Sequence, residues 1–397
     1  MSRSILLVAT GWFLVLAALG LLWNCGGVEE GEREQAAGSS AGQQGATGSL
    51  RQTAGEDPLV LYQAGVALAR QGDREAAVEK LVAARDLAPE MPLIHRTLAV
   101  VYAEIGRTED GVHEMEKVHA LEPDDEEVAL ELGRYYLEKS RLADAHSVID
   151  PLLSQEAPDA AARAVGGNLA RKEGRTDAAR QHYVLALNLD PANFEAHFGL
   201  AVLAKNSGQL DEATEQFQET LKSKPQHLGA LMGLGGLKLD AGEIEAAEGY
   251  FVQAVKAAPG LFVARRALGN TLILQGLYDE AVELFEDGVN LDPRNLEVHF
   301  YLGKAYLQRG FIEKAEKQFE FVARTDLHHL AAREELARIY ALRGETDRAL
   351  TALRELVGLG FSDLQRLEAD PDFEGVMSLP DAKTLKQLAR STAPRTP

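Results

Sequence analysis

LEVHFYLGKAYLQRGFIEKAEKQFEFVARTDLHH, residues 296–329, is the stretch whose reading decides the fold. Leu302, Gly303 and Tyr306 fall at helical spacing, and Gly310 follows them as a stop, because glycine accepts the left-handed conformation at a helix C-terminus. Ala315 and Phe319 then open a second helical stripe. Working outward, the stop recurs at Gly72, Gly106, Gly174, Gly208, Gly242, Gly276 and Gly344, always on a 34-residue beat, with Ser140 in the one remaining slot. Five residues after each stop sits a small residue, from Ala77 through Ala179 and Ala281 to Ala349. A unit repeated with one period across most of a chain folds as a stack, in which each unit buries its apolar face against its neighbours.

The first unit, residues 58–91, shows the physics. Leu61, Ala64, Gly65 and Leu68 make one stripe, and Gly72 ends it. Ala77, Leu81 and Ala84 line a second helix, after which Pro89 turns the chain into the next unit. Small residues at positions 8 and 20 let the two helices close on each other. A large residue at position 24 fills their seam: Leu81, Met115, Ile149, Tyr183, Phe217, Phe251, Phe285, Phe319 and Leu353. Pro151 falls inside the second helix of unit three and is expected to kink it.

This pattern closely resembles the tetratricopeptide repeat (TPR), with Leu302-Gly303, Tyr306, Gly310, Ala315 and Phe319 in the family's signature slots. The resemblance implies an all-α, right-handed superhelical solenoid of about nine helix-turn-helix repeats over residues 58–363. Leu364, Leu367, Phe373, Val376 and Leu379 follow within residues 364–397, as short capping helices that shield the last repeat and a terminal tail.

Ahead of the repeats, Ile5 to Trp23 is a 19-residue uncharged apolar run within an N-terminal segment of residues 1–27. As a helix it extends roughly 28 Å, about one hydrocarbon core. Arg3 before it and the glutamates after it place the remainder outside the cytoplasm. Three readings fit: a membrane anchor through residues 5–23, a lipoprotein signal lipidated at Cys25, and a cleaved signal. All three make the repeat domain extracytoplasmic, periplasmic if the source is bacterial. Residues 28–57 are Gly-, Ala-, Ser-, Gln- and Glu-rich and read as a flexible tether. The match of Gly38-Ser39-Ser40-Ala41-Gly42 to a nucleophile elbow falls in this low-complexity stretch, without the strand and helix that such an elbow needs.

A longer beat overlies the first. At an offset of 102 residues, Asp190–Leu200 echoes Asp292–Leu302, Arg163 echoes Arg265, and Asn168 echoes Asn270; His95, His197 and His299 share one slot. We read this as duplication of a three-unit block.

The resemblance also implies a binding face. In this family the first helices line a concave groove, with positions 2, 5, 9, 12 and 13 pointing into it. Position 9 supplies Arg134, Asn168, Asn270, Lys304 and Arg338 and carries no acid, although the chain has 61 acids against 41 bases and a net charge of −20. Position 5 adds Phe198, Arg266 and Phe300, and position 12 adds Arg171 and Lys205. These ten residues are the expected contacts for a protein or peptide partner. The amides serve its backbone, the cations its carboxylates and the phenylalanines its apolar side chains. Only Arg266 and Asn270 echo the family's chaperone-tail clamp; Tyr301, Ala331 and Glu335 break it.

The strongly acidic balance weighs against nucleic acid as a partner. No phosphate-binding loop, dinucleotide fingerprint or zinc motif is present. His95, His197 and His299 occupy packing slots three units apart, and His328-His329 reads as a solvated loop pair. The sequence therefore points to a non-catalytic binding scaffold without cofactor or metal. The alternative is a structural assembly factor of a cell-envelope, secretion or polysaccharide-export machine.

Overall fold

The computed structural model describes residues 57–385. The expected membrane anchor, Cys25, nearly all of the tether and the final twelve residues lie outside the described range.

Helices follow one another in antiparallel pairs. The first three pairs are α1 (Pro58–Gln71) with α2 (Arg74–Leu87), α3 (Pro92–Glu104) with α4 (Thr108–Leu121), and α5 (Glu126–Glu138) with α6 (Leu142–Leu153). Next come α7 (Ala160–Lys172) with α8 (Thr176–Leu189), α9 (Phe194–Asn206) with α10 (Leu210–Ser223), and α11 (Leu228–Asp240) with α12 (Ile244–Ala257). The last three are α13 (Phe262–Leu274) with α14 (Tyr278–Leu291), α15 (Leu296–Arg309) with α16 (Ile312–Thr325), and α17 (Leu330–Leu342) with α18 (Thr346–Gly358). After them come α19 (Leu364–Ala369), a 3₁₀ turn at Pro371–Phe373, and α20 (Glu374–Met377). Among the described residues this makes nine repeats and a helical cap. The chain divides into two compact units, one ending at Ala230 and one beginning at Leu231.

All eight beat glycines have positive φ, from 74° to 86°, and Ser140 matches them at 58°. At the first of them, the Gly72 N–H bonds the Ala69 carbonyl and the Asp73 N–H bonds the Leu68 carbonyl, which satisfies the carbonyls left open at the end of α1. Pro151 sits in the last turn of α6, which closes two residues later at Leu153.

The seam residues are the core. Tyr183, Phe217, Phe285 and Phe319 are fully buried, and each such side chain contributes about 1.5–3 kcal/mol. Glycine at position 8 makes room for them: a Cβ on Gly269 would lie 2.2 Å from the Phe285 ring. In the second unit one continuous cluster runs from Ala247 through Phe285 and Phe319 into the cap, where Leu367 and Phe373 are fully buried.

Position 4 does more than fill a packing slot. His197 Nε2 donates to the Pro191 carbonyl at 3.0 Å, and its Nδ1 lies 2.7 Å from the Gln216 amide. His299 repeats both contacts with Pro293 and Gln318 at the same distances. Arg265 donates to the Pro259 and Leu284 carbonyls at 2.9 and 2.6 Å. A polar side chain thus laces each of these repeats to the carbonyl of the proline turn before it, which would otherwise be left without a donor.

Candidate functional site

The expected site residues lie on the first helices of their repeats, and their surroundings differ between the two units.

In the first unit most of the polar ones are engaged within the chain. Arg134 on α5 donates through Nη1 to Glu131 at 2.9 Å and through Nε to Glu195 of α9 at 2.8 Å. Burial works against its charge, and the two carboxylates more than offset it, holding its pKa above the ordinary value. Burial raises Glu131 in turn. Asn168 on α7 accepts from the Tyr183 hydroxyl at 2.9 Å, and Arg171 Nε donates to the same oxygen at 3.3 Å. Burial pushes the Tyr183 hydroxyl up to about 12. Phe198 on α9 packs on Phe217 and on His227, with ring centroids 5.8 and 4.5 Å apart. His227 accepts the Ala230 N–H at 3.1 Å; burial, helped by Lys224, lowers its pKa to about 4. Lys205 at the end of α9 is exposed.

In the second unit the same slots are open. The Arg266 guanidinium on α13 lies 5.9 Å from the rings of both Phe262 and Tyr301. The Lys304 ammonium on α15 lies 6.0 Å from the Phe300 ring and 5.8 Å from Tyr301. Neither forms an ion pair with a carboxylate among the described residues, so both are held by ring faces. Asn270 is exposed, and Phe285 stands where the first unit has Tyr183, so no hydroxyl reaches it. Phe300 rests on Phe319 and on His329 at 5.7 and 5.1 Å. Arg338 is the exception. Its Nη1 lies 2.7 Å from both Asp370 and Asp372 of the cap, and Nε lies 3.1 Å from Glu335.

Sequence reasoning missed Phe262 and Tyr301, which platform the two open cations; their signal was the aromatic density around Arg266 and Lys304. It also read His329 as solvated. His329 instead caps α17, accepting the Ala332 N–H at 3.1 Å, and packs on Phe300. No group of three or more His, Cys, Asp or Glu side chains among the described residues is placed to hold a metal. No helix among them is long and apolar enough to cross a membrane.

Comparison with known proteins matches tetratricopeptide repeat models to residues 62–126, 130–193 and 300–363, and another to residues 170–234. A TPR repeat model matches residues 269–310. No curated protein matches the chain. Among solved structures, YrrB, described as a TPR protein with an unusual peptide-binding site, is 20% identical; the match covers 47% of this chain and 96% of YrrB at a TM-score of 0.40. PilF of Pseudomonas aeruginosa is 20% identical over 56% of this chain and 98% of its own, at 0.44. The Cut9–Hcn1 assembly of the APC/C is 15% identical over 79% and 59%, at 0.49. With its repeat models spread across both units and helix pairs that keep their 34-residue period, the chain belongs to the tetratricopeptide repeat proteins.

Proposed function

We propose that this TPR scaffold binds a protein or peptide segment on the first-helix face of its second unit, and that it does so without catalysis. One observation carries the reading. Arg266 and Lys304 form no direct ion pair among the described residues, and only Glu335 acts on Lys304 at longer range, in a chain where acids outnumber bases 61 to 41. The half-buried cations Arg134 and Arg338, in the Lys304 slot of other repeats, each pair with acids. Around the two open cations, Asn270 offers a donor and an acceptor, while Phe262, Phe300 and Tyr301 offer apolar platforms. In this reading Phe198 and Lys205 of the first unit are secondary contacts, and Arg134, Asn168, Arg171 and Arg338 hold the scaffold in shape. The N-terminal segment tethers the scaffold to a membrane through residues 5–23 or a lipid on Cys25, with the repeats outside the cytoplasm.

Capture of partners from membranes by the full chain tests the face. Arg266→Glu/Lys304→Glu is expected to lose the partner that wild type retains, with an unchanged melting midpoint. Retention of every partner by that variant sinks the reading. For the tether, mass spectrometry of the membrane-bound chain is expected to show a lipid on an N-terminal Cys25 if the anchor is lipid, and an N-terminus that retains residues 5–23 without lipid if the anchor is the apolar run.

A further inference from the structure

The chain carries on itself a sample of what its open face binds. Arg338, Lys304 and Asn270 occupy the same slot in three successive repeats. At Arg338 the slot is filled by the cap segment Asp370-Pro371-Asp372-Phe373. Both aspartates lie 2.7 Å from Arg338 Nη1, and the guanidinium carbon lies 5.2 Å from the centroid of the Phe373 ring. That ring is fully buried. One repeat earlier, Lys304 lies against two aromatic rings; it lines the same cleft as Asp372, Arg338 and Glu335 and acts on the Glu335 carboxylate through space, without a direct ion pair. The filled slot and the open slot are therefore neighbours with matching chemistry: a cation, an aromatic ring and a place for an acid.

We propose that the face at Arg266 and Lys304 takes a partner segment with the chemistry of the cap, two carboxylates spaced by a turn residue and followed by an aromatic side chain. The inference rests on the peptide-binding reading above and names its ligand class. A carboxylate brought to Lys304 or Arg266 makes a charge-assisted bond without displacing an existing one. An aromatic side chain brought to Phe300, Tyr301 or Phe262 adds ring contacts of the kind already present there, such as the edge-on pair of Phe300 and Tyr301 at 5.4 Å. The acids nearest the cleft are already committed: Glu334, Glu335, Asp370 and Asp372 all bond Arg338. A ligand acid therefore meets two cations that have no direct ion pair, one of them, Lys304, already influenced by Glu335. The overall charge of −20 repels acidic segments at long range, so recognition is local.

The probe is a fluorescent synthetic peptide of residues 367–377, LEADPDFEGVM, titrated against the full chain in detergent and read by anisotropy. Saturable binding is expected, weakened at least tenfold by Arg266→Glu/Lys304→Glu at an unchanged melting midpoint. It is also expected to weaken at least tenfold when both peptide aspartates are asparagine. Absence of binding, equal binding of the asparagine peptide, or binding that survives the double variant because the peptide displaces the cap at Arg338, each overturns the inference. Loss of a captured partner by the same variant without specific peptide binding leaves the broader reading standing and removes only the ligand class. Survival of both the capture and the peptide binding removes both.

Discussion

Gly199→Ala is a sharp test of how these repeats hold together. Gly199 lies on α9 against Tyr183 of α8. A Cβ there would stand 2.2 Å from Tyr183 Cζ and 2.5 and 2.6 Å from Cε1 and Cε2. The ring has nowhere to retreat. A Cβ on Gly167, on the neighbouring helix α7, would lie 2.5 Å from the same ring, and the hydroxyl is tied to Asn168 at 2.9 Å. Helix propensity alone favours the alanine by about 1 kcal/mol. Overpacking costs about 1–3 kcal/mol, here toward the upper end because a whole ring must move. Losing the hydroxyl bond adds about 1 kcal/mol. The net is a destabilisation of about 2–3 kcal/mol. Gly249→Ala is the control: Gly249 lies within α12, is exposed and has nothing within 4 Å of its would-be Cβ, so it gains about 1 kcal/mol. Hydrogen–deuterium exchange resolves the two by location. Exchange in α7–α9 should accelerate roughly 30- to 140-fold with Gly199→Ala, while α13–α18 stay unchanged, since repeats feel only their neighbours. Slowed or unaltered exchange in α7–α9 would refute the reasoning.

Three further outcomes follow from the same geometry. Tyr183→Phe should lower the stability of the first unit by about 1 kcal/mol, read by urea melting, while freeing Asn168 and Arg171 from the hydroxyl they share. Arg338→Gln leaves acids of α17 and the cap facing one another without their cation. It should cost about 3 kcal/mol and make α19 and α20 the first sites of limited proteolysis, with the first unit intact. His227 has a folded-state pKa of about 4 against an ordinary value of 6.5, so the unfolded chain takes its proton first. Its contribution to stability is complete above pH 6.5, falls as the pH drops toward 4 and levels off below. His227→Asn keeps a side-chain acceptor for the Ala230 N–H and should flatten that part of the slope in urea midpoints at pH 7, 5 and 4.

The repeat was legible because its signals are local. A left-handed stop, a small residue five places on and a large residue at position 24 each act within one unit, so period and phase read straight from Gly72 to Gly344. The state of the site was not legible, because it depends on distant partners. Arg134 meets Glu195 two repeats away, and Arg338 meets Asp370 and Asp372 in the cap; a slot-by-slot reading treats each position as independent and places all of them equally in a groove. Asn168 and Asn270 look identical in sequence, yet one is bonded and the other exposed because of a single oxygen atom fifteen residues further on. His329 read as a solvated loop residue because capping by a histidine ring carries no strong sequence signature.

The 102-residue echo extends from sequence into geometry. The histidine staples at His197 and His299 agree in both distances, 2.7 and 3.0 Å. Phe198 with His227 and Phe300 with His329 form the same ring pair, each histidine accepting an N–H at 3.1 Å. The two blocks differ both in the seam and on the first helices. Tyr183 in the first becomes Phe285 in the second, Val202 becomes Lys304, and Arg134 becomes Gly236. In the first unit the Tyr183 hydroxyl bonds Asn168 and the Arg134 guanidinium bonds one oxygen of Glu195. In the second unit the corresponding groups are absent, Asn270 and Glu297 are exposed, and a new cation stands beside Phe300. The seam changes as well: Ile149 becomes Phe251, Tyr183 becomes Phe285, and Gly199, packed against the Tyr183 ring, becomes Tyr301.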